Sequence, residues 1–236
     1  MRTASNAARI GAWSTKLILA MILRTPCEPK SQASTFVCVS RSTGRRSWLA
    51  DFDEGATKFD VKVFFADQFD ALRRDSGCEP NFVESLARCL PWEAGGGKSG
   101  SAFLKTRDDR YIIKEISRLE MDAFLRFAPS YFKYMSRAIF QDVHALLPLL
   151  LNPQMPTALA KIFGFFRLSI KNSATGKSQR LDVLVMEHLF YARNVARLYD
   201  LKGLTHNRHN QGTGKAQEVL LDGNLVERVS QQARSF

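Results

Sequence analysis

The segment Gly95–Lys114 reads Gly-Gly-Gly-Lys-Ser-Gly-Ser-Ala-Phe-Leu-Lys-Thr-Arg-Asp-Asp-Arg-Tyr-Ile-Ile-Lys. It contains a glycine cluster, an apolar run, a charged turn, a second apolar run and a closing lysine. Glycine backbone adopts conformations that other residues avoid, so it can lie close to a phosphate group. The order of these features predicts a β-hairpin folded over a nucleotide. A glycine-rich hairpin without any ligand is the alternative.

The glycine cluster fits one of three known phosphate-loop patterns better than the other two. Gly95, Gly97 and Gly100 follow the G-x-G-x-x-G spacing, and Lys114 stands where a kinase lysine reaches the phosphates. A P-loop would need glycine where the sequence has Trp92. A dinucleotide-binding fold would need a strand before the glycines, and Pro91 argues against a central strand there.

The composition allows a folded core and indicates an anionic partner. The chain has 236 residues, of which 45% are hydrophobic, and a formal net charge of +11. Such a charge can simply favour solubility. The more specific interpretation is a phosphate-bearing partner such as a nucleotide, nucleic acid or anionic membrane. The basic residues are dispersed and no nucleic-acid motif is present, so we expect no nucleic-acid partner. The four cysteines lack metal-site spacing and are expected to be free thiols.

Residues before the glycine cluster predict an extension, a strand and two helices. Residues 1–55 are expected to form a poorly ordered N-terminal extension. Alternating apolar residues predict a strand over 59–65. Residues 67–74 and 81–90 predict helices, the second with Asn81 as its N-cap.

Residues after Lys114 predict a helix with two possible roles for its first glutamate. Ser117 and Glu120 have the spacing of a capping box, and Leu119, Ala123 and Phe127 recur at helical spacing. Pro129 is expected to interrupt this helix. Glu120 could pair with the lysine of the preceding strand, as in kinases, or simply cap its own helix. The spacing favours the cap, and Asp122 is a rival for the ion pair.

Two further strands and an insertion are predicted before the C-terminal part of the chain. Residues 161–170 and 181–186 have strand patterns, and the second is continuously apolar apart from one aspartate. Glu187 follows directly, where a kinase crossover would meet adenine. Residues 144–155 are apolar but interrupted by prolines, which indicates a surface insertion or an error in the gene sequence. Residues 194–199 look helical, and 219–222 look like a short strand.

Asp200-Leu201-Lys202-Gly203 has the composition of a phosphoryl-transfer loop. A carboxylate there can orient or deprotonate an acceptor hydroxyl, and the ammonium group can neutralise charge on the moving phosphate. A solvated turn is the alternative when this motif is considered alone.

Taken in order, these motifs resemble the phosphatidylinositol phosphate kinase family. The segments that carry this resemblance are Gly97–Ser101, Tyr111–Lys114, Met186–Glu187 and Asp200–Gly203. Within the family, the phosphatidylinositol 3-phosphate 5-kinase branch (PIKfyve type) is the most similar. That finer resemblance is carried by residues 65–73, 118–120, 124–129, 156–162 and 220–222.

The resemblance implies a fold and a set of site residues. The fold would be α+β, with a kinase-like N-lobe of antiparallel sheet and helices over about 56–186 and an incomplete C-lobe over 187–236. ATP and Mg²⁺ would be the cofactors, and Asp200 and Lys202 the catalytic residues. Arg208 would contact anionic lipid or phosphate, and no metal ligand is assigned. The nucleotide-binding residues would be Gly97, Lys98, Ser99, Gly100, Ser101, Lys114, Met186 and Glu187.

The implied activity is ATP-dependent phosphorylation of the 5-hydroxyl of phosphatidylinositol 3-phosphate. The implied setting is cytoplasmic and peripheral to endosomal membranes, with an anionic membrane and a regulatory protein complex as partners. Two departures favour an alternative. The family serine after Asp-Leu-Lys-Gly is replaced by Leu204, and we expect the chain to be truncated before the metal-binding aspartate. The alternative is a catalytically inactive, pseudokinase-like fragment that binds nucleotide or anionic membrane.

Overall fold

The computed structural model describes residues 36–40, 46–54, 56–92, 101–139, 157–204, 206–212 and 218–234. These residues sort into two compact units, with the change at Leu189–Phe190. The predicted insertion at 144–155 lies outside the described residues. The lobe boundary drawn from the sequence at 186–187 stays a prediction.

An antiparallel sheet organises the first unit. Its eight described strands are β1 Phe36–Ser40, β2 Arg46–Glu54, β3 Thr57–Phe64, β4 Cys89–Pro91, β5 Phe103–Thr106, β6 Tyr111–Ile116, β7 Ile162–Asn172 and β8 Ser178–Glu187. Their order across the sheet is β1-β2-β3-β7-β8-β6-β5-β4. Together with the helices this confirms the α+β class. β1 and β2 fall within residues 1–55, so part of the expected extension contributes strands to the sheet.

Two short helices follow β3 in the chain. Helix α1 spans Ala66–Asp75, as the sequence predicted. Helix α2 spans Glu79–Leu86 and has Cys78 as its N-cap, so the prediction of Asn81 as N-cap was wrong. Pro80 occupies the first turn of α2, where its missing N–H costs no hydrogen bond. The predicted end of this helix is instead β4, an edge strand that closes with Pro91.

Helix α3 spans Arg118–Ile139 and continues through Pro129, so the expected interruption was wrong. A proline inside a helix removes one backbone hydrogen bond, and tertiary packing on both sides of it can offset that loss. Here Phe124 and Tyr131 are buried on either side of the proline. The stripe that predicted the helix is not the buried one: Leu119 is 81% exposed and Phe127 51% exposed.

An aromatic cluster holds α3 against the sheet. The ring of Phe124 stacks on Phe165 of β7, with centroids 4.0 Å apart and planes 10° apart. Phe69 of α1 packs against the same Phe124 ring at 6.3 Å. Arg73 of α1 donates a buried hydrogen bond of 2.9 Å to the Phe163 carbonyl. These contacts fix both helices on β7.

A buried ion pair explains the charged residue inside the apolar stretch 181–186 of β8. Asp182 is 6% exposed, and its two oxygens accept hydrogen bonds from Arg167 Nε at 2.6 Å and Nη2 at 3.0 Å. The two residues are direct cross-strand partners in β7 and β8. A paired carboxylate of this kind tolerates burial, whereas an unpaired one would be strongly unfavourable.

The second unit contains two parallel strands and one helix among its described residues. β9 spans Leu198–Asp200, β10 spans Val219–Leu221, and α4 spans Asp222–Ala233. The predicted strand at 219–222 is confirmed, except that Asp222 begins the helix. The predicted helix at 194–199 was wrong, because Leu198 and Tyr199 pair with β10. Long-range pairing overrides a weak local helix pattern.

Among the described residues, no helix combines the length and apolar character needed to cross a bilayer.

We expect Phe124→Ala to lower the free energy of unfolding by about 3–5 kcal/mol, because the buried ring leaves a cavity between α3 and the sheet. Phe127→Ala is the matched control, since it removes the same atoms from a half-exposed position on the same helix. Its effect should stay below about 1 kcal/mol. Urea denaturation followed by circular dichroism measures both. Equal losses in the two variants would contradict the packing of α3 through Phe124.

Candidate active site

Lys114 lies on β6, an interior strand and the sixth of eight across the sheet of the first unit. Its strand, β6, runs between β5 and β8, and Lys114 stands opposite Phe103 on one side and Leu184 on the other. The lysine side chain is 24% exposed. Strand pairing on both sides therefore fixes the backbone from which the ammonium group extends.

Glu120 joins this lysine to the start of α3. Its Oε1 lies 2.9 Å from Lys114 Nζ, and its Oε2 accepts a 2.7 Å hydrogen bond from the Ser117 N–H. The Ser117 hydroxyl accepts in turn from the Glu120 N–H at 3.2 Å. The two roles weighed for Glu120 therefore hold at the same time, one for each carboxylate oxygen. Asp122 is not the partner of Lys114, because it lies 3.9 Å from Arg118.

These contacts keep Glu120 ionised. Partial burial by itself raises the pKa of the carboxyl, but the hydrogen bonds from Ser117 and Lys114 outweigh it, so the pKa is lowered. A carboxylate at this position also lies near the positive end of the α3 dipole. The carboxylate form of Glu120 is thus the stable one at neutral pH.

Strands β4 and β5 flank the glycine cluster along the chain and pair with each other. β4 and β5 are antiparallel, with Cys89 opposite Thr106 and Pro91 opposite Leu104. The Trp92 N–H donates a 3.0 Å hydrogen bond to the Phe103 carbonyl just beyond this pairing. The stretch 93–100 connects the two strands, and it includes four predicted site residues, Gly97, Lys98, Ser99 and Gly100. Those four lie outside the described residues.

Ser101, the last residue of the predicted loop, is described and is half-buried immediately before β5. The neighbouring Ala102 carbonyl accepts a 2.9 Å hydrogen bond from the Glu115 N–H. This bond fastens the end of the loop to β6, one residue beyond Lys114. The role of Ser101 at the phosphates stays a prediction.

Glu187 at the end of β8 bonds to Lys161, the residue that precedes β7. Its Oε1 accepts from the Lys161 N–H at 2.7 Å and its Oε2 from Lys161 Nζ at 2.9 Å. Both oxygens therefore have protein partners. Met186 stands opposite Ile112 of β6 in the sheet. The geometry fixes the end of β8, and the adenine-binding role of Met186 and Glu187 stays a prediction.

Asp200 and Lys202 form a direct ion pair in the second unit. Lys202 Nζ lies 2.7 Å from Asp200 Oδ1 and 2.6 Å from Oδ2. The Lys202 hydrogen bond is the main cause of a lowered pKa at Asp200. The side chains are 30% and 54% exposed, so both charged groups are open to solvent. The structure brings the two residues into contact, and their catalytic role stays a prediction.

Asp222 organises this loop, and the sequence reasoning did not include it among the site residues. Its Oδ1 accepts from the backbone N–H groups of Lys202 at 2.9 Å and Gly203 at 2.8 Å. Its Oδ2 accepts from Arg208 Nε at 2.9 Å. Burial by itself raises the pKa of this carboxyl, but these hydrogen bonds outweigh burial and lower it to about 2. The available signal was an aspartate at a strand end that begins a helix.

Arg208 bridges the two aspartates of this unit. Besides its bond to Asp222, Nη2 donates to the Asp200 carbonyl and lies 3.5 Å from Asp200 Oδ1. The side chain is only 17% exposed. These contacts make Arg208 part of the internal support of the loop. Its predicted contact with anionic lipid or phosphate stays a prediction.

Two residues after Lys202 shape the loop exit. Gly203 has a φ of +72°, in the left-handed region that residues with a side chain rarely adopt. Glycine therefore allows the chain to turn there with little strain. Leu204 follows and is 59% exposed. The family that the chain resembles has a serine at this position, so an exposed apolar side chain stands here in place of a hydroxyl.

We expect Asp222→Asn to remove a pH-dependent contribution to stability. Because the folded pKa lies below the ordinary value of 3.8, the carboxylate stabilises the fold fully above pH of about 5, and the contribution is lost as pH falls toward about 2. The difference in unfolding free energy between the parent protein and the variant should be largest at neutral pH. It should shrink between about pH 5 and 2. Denaturation at a series of pH values measures this. A difference that is independent of pH would contradict the ionised role of Asp222.

Comparison with known proteins places these residues in a family context. A family profile described as "Phosphatidylinositol-4-phosphate 5-Kinase" matches residues 89–235. The chain is 50% identical over 179 residues to 1-phosphatidylinositol 3-phosphate 5-kinase FAB1 of Saccharomyces cerevisiae, covering 75% of this chain and 7% of that protein.

Relatives from other organisms show similar identity. The human 1-phosphatidylinositol 3-phosphate 5-kinase is 44% identical over 184 residues, which cover 75% of this chain and 8% of that protein. The Arabidopsis thaliana 1-phosphatidylinositol-3-phosphate 5-kinase FAB1A is 42% identical over 184 residues, which cover 78% and 10%. The chain spans a tenth or less of the length of these curated relatives.

Proposed function

Because the chain belongs to the phosphatidylinositol-4-phosphate 5-kinase family, we propose that it is an ATP-dependent lipid kinase segment. Its proposed reaction is phosphorylation of the 5-hydroxyl of phosphatidylinositol 3-phosphate to give the 3,5-bisphosphate. Relatives named 1-phosphatidylinositol 3-phosphate 5-kinase support this choice of lipid. The proposed location is cytoplasmic, peripheral to endosomal membranes, and a regulatory protein complex stays a prediction of the resemblance.

One observation carries the nucleotide-binding part of the proposal, namely the ion pair between Lys114 and Glu120. A lysine on a central strand, held by a glutamate on the following helix, is the arrangement by which kinases position the nucleotide phosphates. Glu120 is itself fixed by Ser117, so the lysine is oriented before any ligand binds. Such preorganised positive charge stabilises phosphate charge without further rearrangement.

The second unit supplies the proposed catalytic pair. ATP, when bound, supplies the phosphoryl group that is transferred. Asp200 is proposed to accept a hydrogen bond from the reacting hydroxyl, and Lys202 to neutralise charge on the transferred phosphate. The lowered pKa of Asp200 keeps it ionised but makes it a weak base. The geometry therefore favours orientation of the hydroxyl over early proton removal.

The described residues do not make a magnesium site by themselves. Mg²⁺ is usually held by one or two carboxylates together with substrate phosphates. In the part of the chain that the structure describes, no group of three acidic, histidine or cysteine side chains could hold a metal ion. Asp200 and Asp222 instead contact Lys202 and Arg208. We therefore assign no step to the ion.

The residue at position 204 favours a second candidate function. This candidate is a pseudokinase-like segment that binds nucleotide or anionic membrane without phosphoryl transfer. Leu204, exposed where the family has serine, is compatible with this candidate because it cannot supply a hydroxyl. Binding and turnover, measured separately, distinguish the two functions.

We expect Lys114→Met to lower both ATP affinity and lipid phosphorylation, the latter by about 100-fold or more, since a preorganised phosphate contact is lost. Calorimetry with ATP measures affinity, and transfer of label from ATP to phosphatidylinositol 3-phosphate in vesicles measures turnover. Lys171→Met is the matched control. That side chain is 66% exposed on β7, and its ion pair with Asp60 is long, with 4.0 Å between Nζ and Oδ2. An unchanged ATP affinity in Lys114→Met would contradict the proposed nucleotide site.

We expect Asp200→Asn to reduce turnover by about 10²–10⁴-fold while ATP affinity stays unchanged. Asparagine keeps the size of the side chain but cannot attract Lys202 by charge. Glu227→Gln is the control in the same unit, where an exposed acid contacts His209 at 2.9 Å. ATP binding in the parent protein with no turnover would support the pseudokinase-like candidate. Absence of ATP binding, of turnover and of binding to anionic vesicles would contradict both candidates.

A further inference from the structure

Helix α3 presents a row of three cations to solvent. Arg126, Lys133 and Arg137 are all exposed. Their spacing of seven and four residues places them within about 40° of one another around the helix, over about 16 Å of its length. The three side chains therefore form a line along one face of the helix. We call this line, with the neighbouring Leu119 and Phe127, the cationic face of α3.

The charge of this face is not balanced by the helix that carries it. The only acidic residues of α3 are Glu120 and Asp122. Glu120 is paired with Lys114 and Asp122 with Arg118. Arg126, Lys133 and Arg137, by contrast, have no ion pair with any residue that the structure describes. An uncompensated row of this kind attracts an anionic surface.

The solvent-exposed side of α3 also carries large apolar side chains. Leu119 is 81% exposed and Phe127 is 51% exposed. Leu119 lies about two turns before Arg126 and on the same line of the helix, while Phe127 lies about 100° around the helix from Arg126. An exposed helix face that combines cations with Leu and Phe is the composition of helices that lie in a membrane interface.

We propose that the cationic face of α3 binds the surface of an anionic bilayer, with the cations at lipid headgroups and Leu119 and Phe127 at the acyl boundary. This inference rests on the proposed function, which places the substrate in such a bilayer. A bilayer satisfies both features of the face at once, because it offers anionic groups and an apolar boundary side by side. A second copy of the chain would instead set like charges against each other across a twofold contact.

Vesicle co-sedimentation without ATP tests this surface. The full chain is mixed with phosphatidylcholine vesicles that contain or lack about a third of phosphatidylserine. The triple variant Arg126→Gln/Lys133→Gln/Arg137→Gln should bind the anionic vesicles about 100-fold more weakly, at roughly fivefold per cation. Circular dichroism verifies that the variant is folded.

The matched control removes three exposed cations from the sheet. Lys58→Gln/Lys177→Gln/Arg180→Gln changes the net charge by the same amount at exposed positions of β3, β8 and the turn before β8. We expect it to retain most of the binding. An equal loss in both triple variants would mean diffuse attraction of a basic protein and would overturn the inference.

A second variant tests the apolar contribution without changing charge. Leu119→Ser/Phe127→Ser should weaken binding to anionic vesicles, because both side chains would lose their contact with the acyl boundary. Unchanged binding by this variant would contradict insertion. If the cationic triple variant lost binding to polyglutamate but not to vesicles, the face would serve an acidic protein and the membrane proposal would be wrong.

The readouts separate this inference from the kinase proposal. A short-chain, water-soluble phosphatidylinositol 3-phosphate measures phosphorylation without any bilayer. Phosphorylation of that substrate, together with unchanged vesicle binding by the triple variant of Arg126, Lys133 and Arg137, would overturn the membrane-binding face alone. The opposite result would overturn the kinase proposal alone: vesicle binding that depends on these cations, with no phosphorylation of phosphatidylinositol 3-phosphate in either its short-chain or its vesicle form.

Discussion

The carboxylate of Glu120 is the contact on which the first unit of this protein depends. One oxygen receives the Ser117 N–H and so begins helix α3, and the other receives the Lys114 ammonium from the centre of the sheet. An exposed ion pair contributes little stability by itself. Here the helix start, the lysine and the strand are fixed together, so the pair determines geometry more than it determines stability. Stacking of Phe124 on Phe165 holds the rest of the helix in the same place.

The second unit uses a carboxylate in the same way. Asp222 is buried at the junction of β10 and α4 and accepts two backbone N–H groups and one guanidinium. Each bond fixes a different part of the loop that carries Asp200 and Lys202. A buried charge is tolerated only when such partners replace the lost water. In both units one multiply bonded carboxylate sets the position of a lysine.

Several features were readable from the sequence because they depend on neighbouring residues. The capping box of Ser117 and Glu120, the strand over 59–65 and the turn between β5 and β6 are local patterns, and the structure contains them. The errors arose where distant contacts decide. Pro129 does not end α3, since aromatic packing on both sides of it outweighs one lost hydrogen bond. Residues 198–200 form a strand only because β10 pairs with them.

Short motifs in order along the chain were enough to identify the family, the α+β class and the strand that carries Lys114, because such motifs can be recognised without knowledge of contacts. Three features could be seen only in the folded protein: the two partners of Glu120, the support of the loop by Asp222, and the stripe of α3 that faces the core. One cause accounts for all three. The partners of a side chain are set by its burial and by the hydrogen-bond donors within reach. Both burial and donors depend on residues that are distant in the chain.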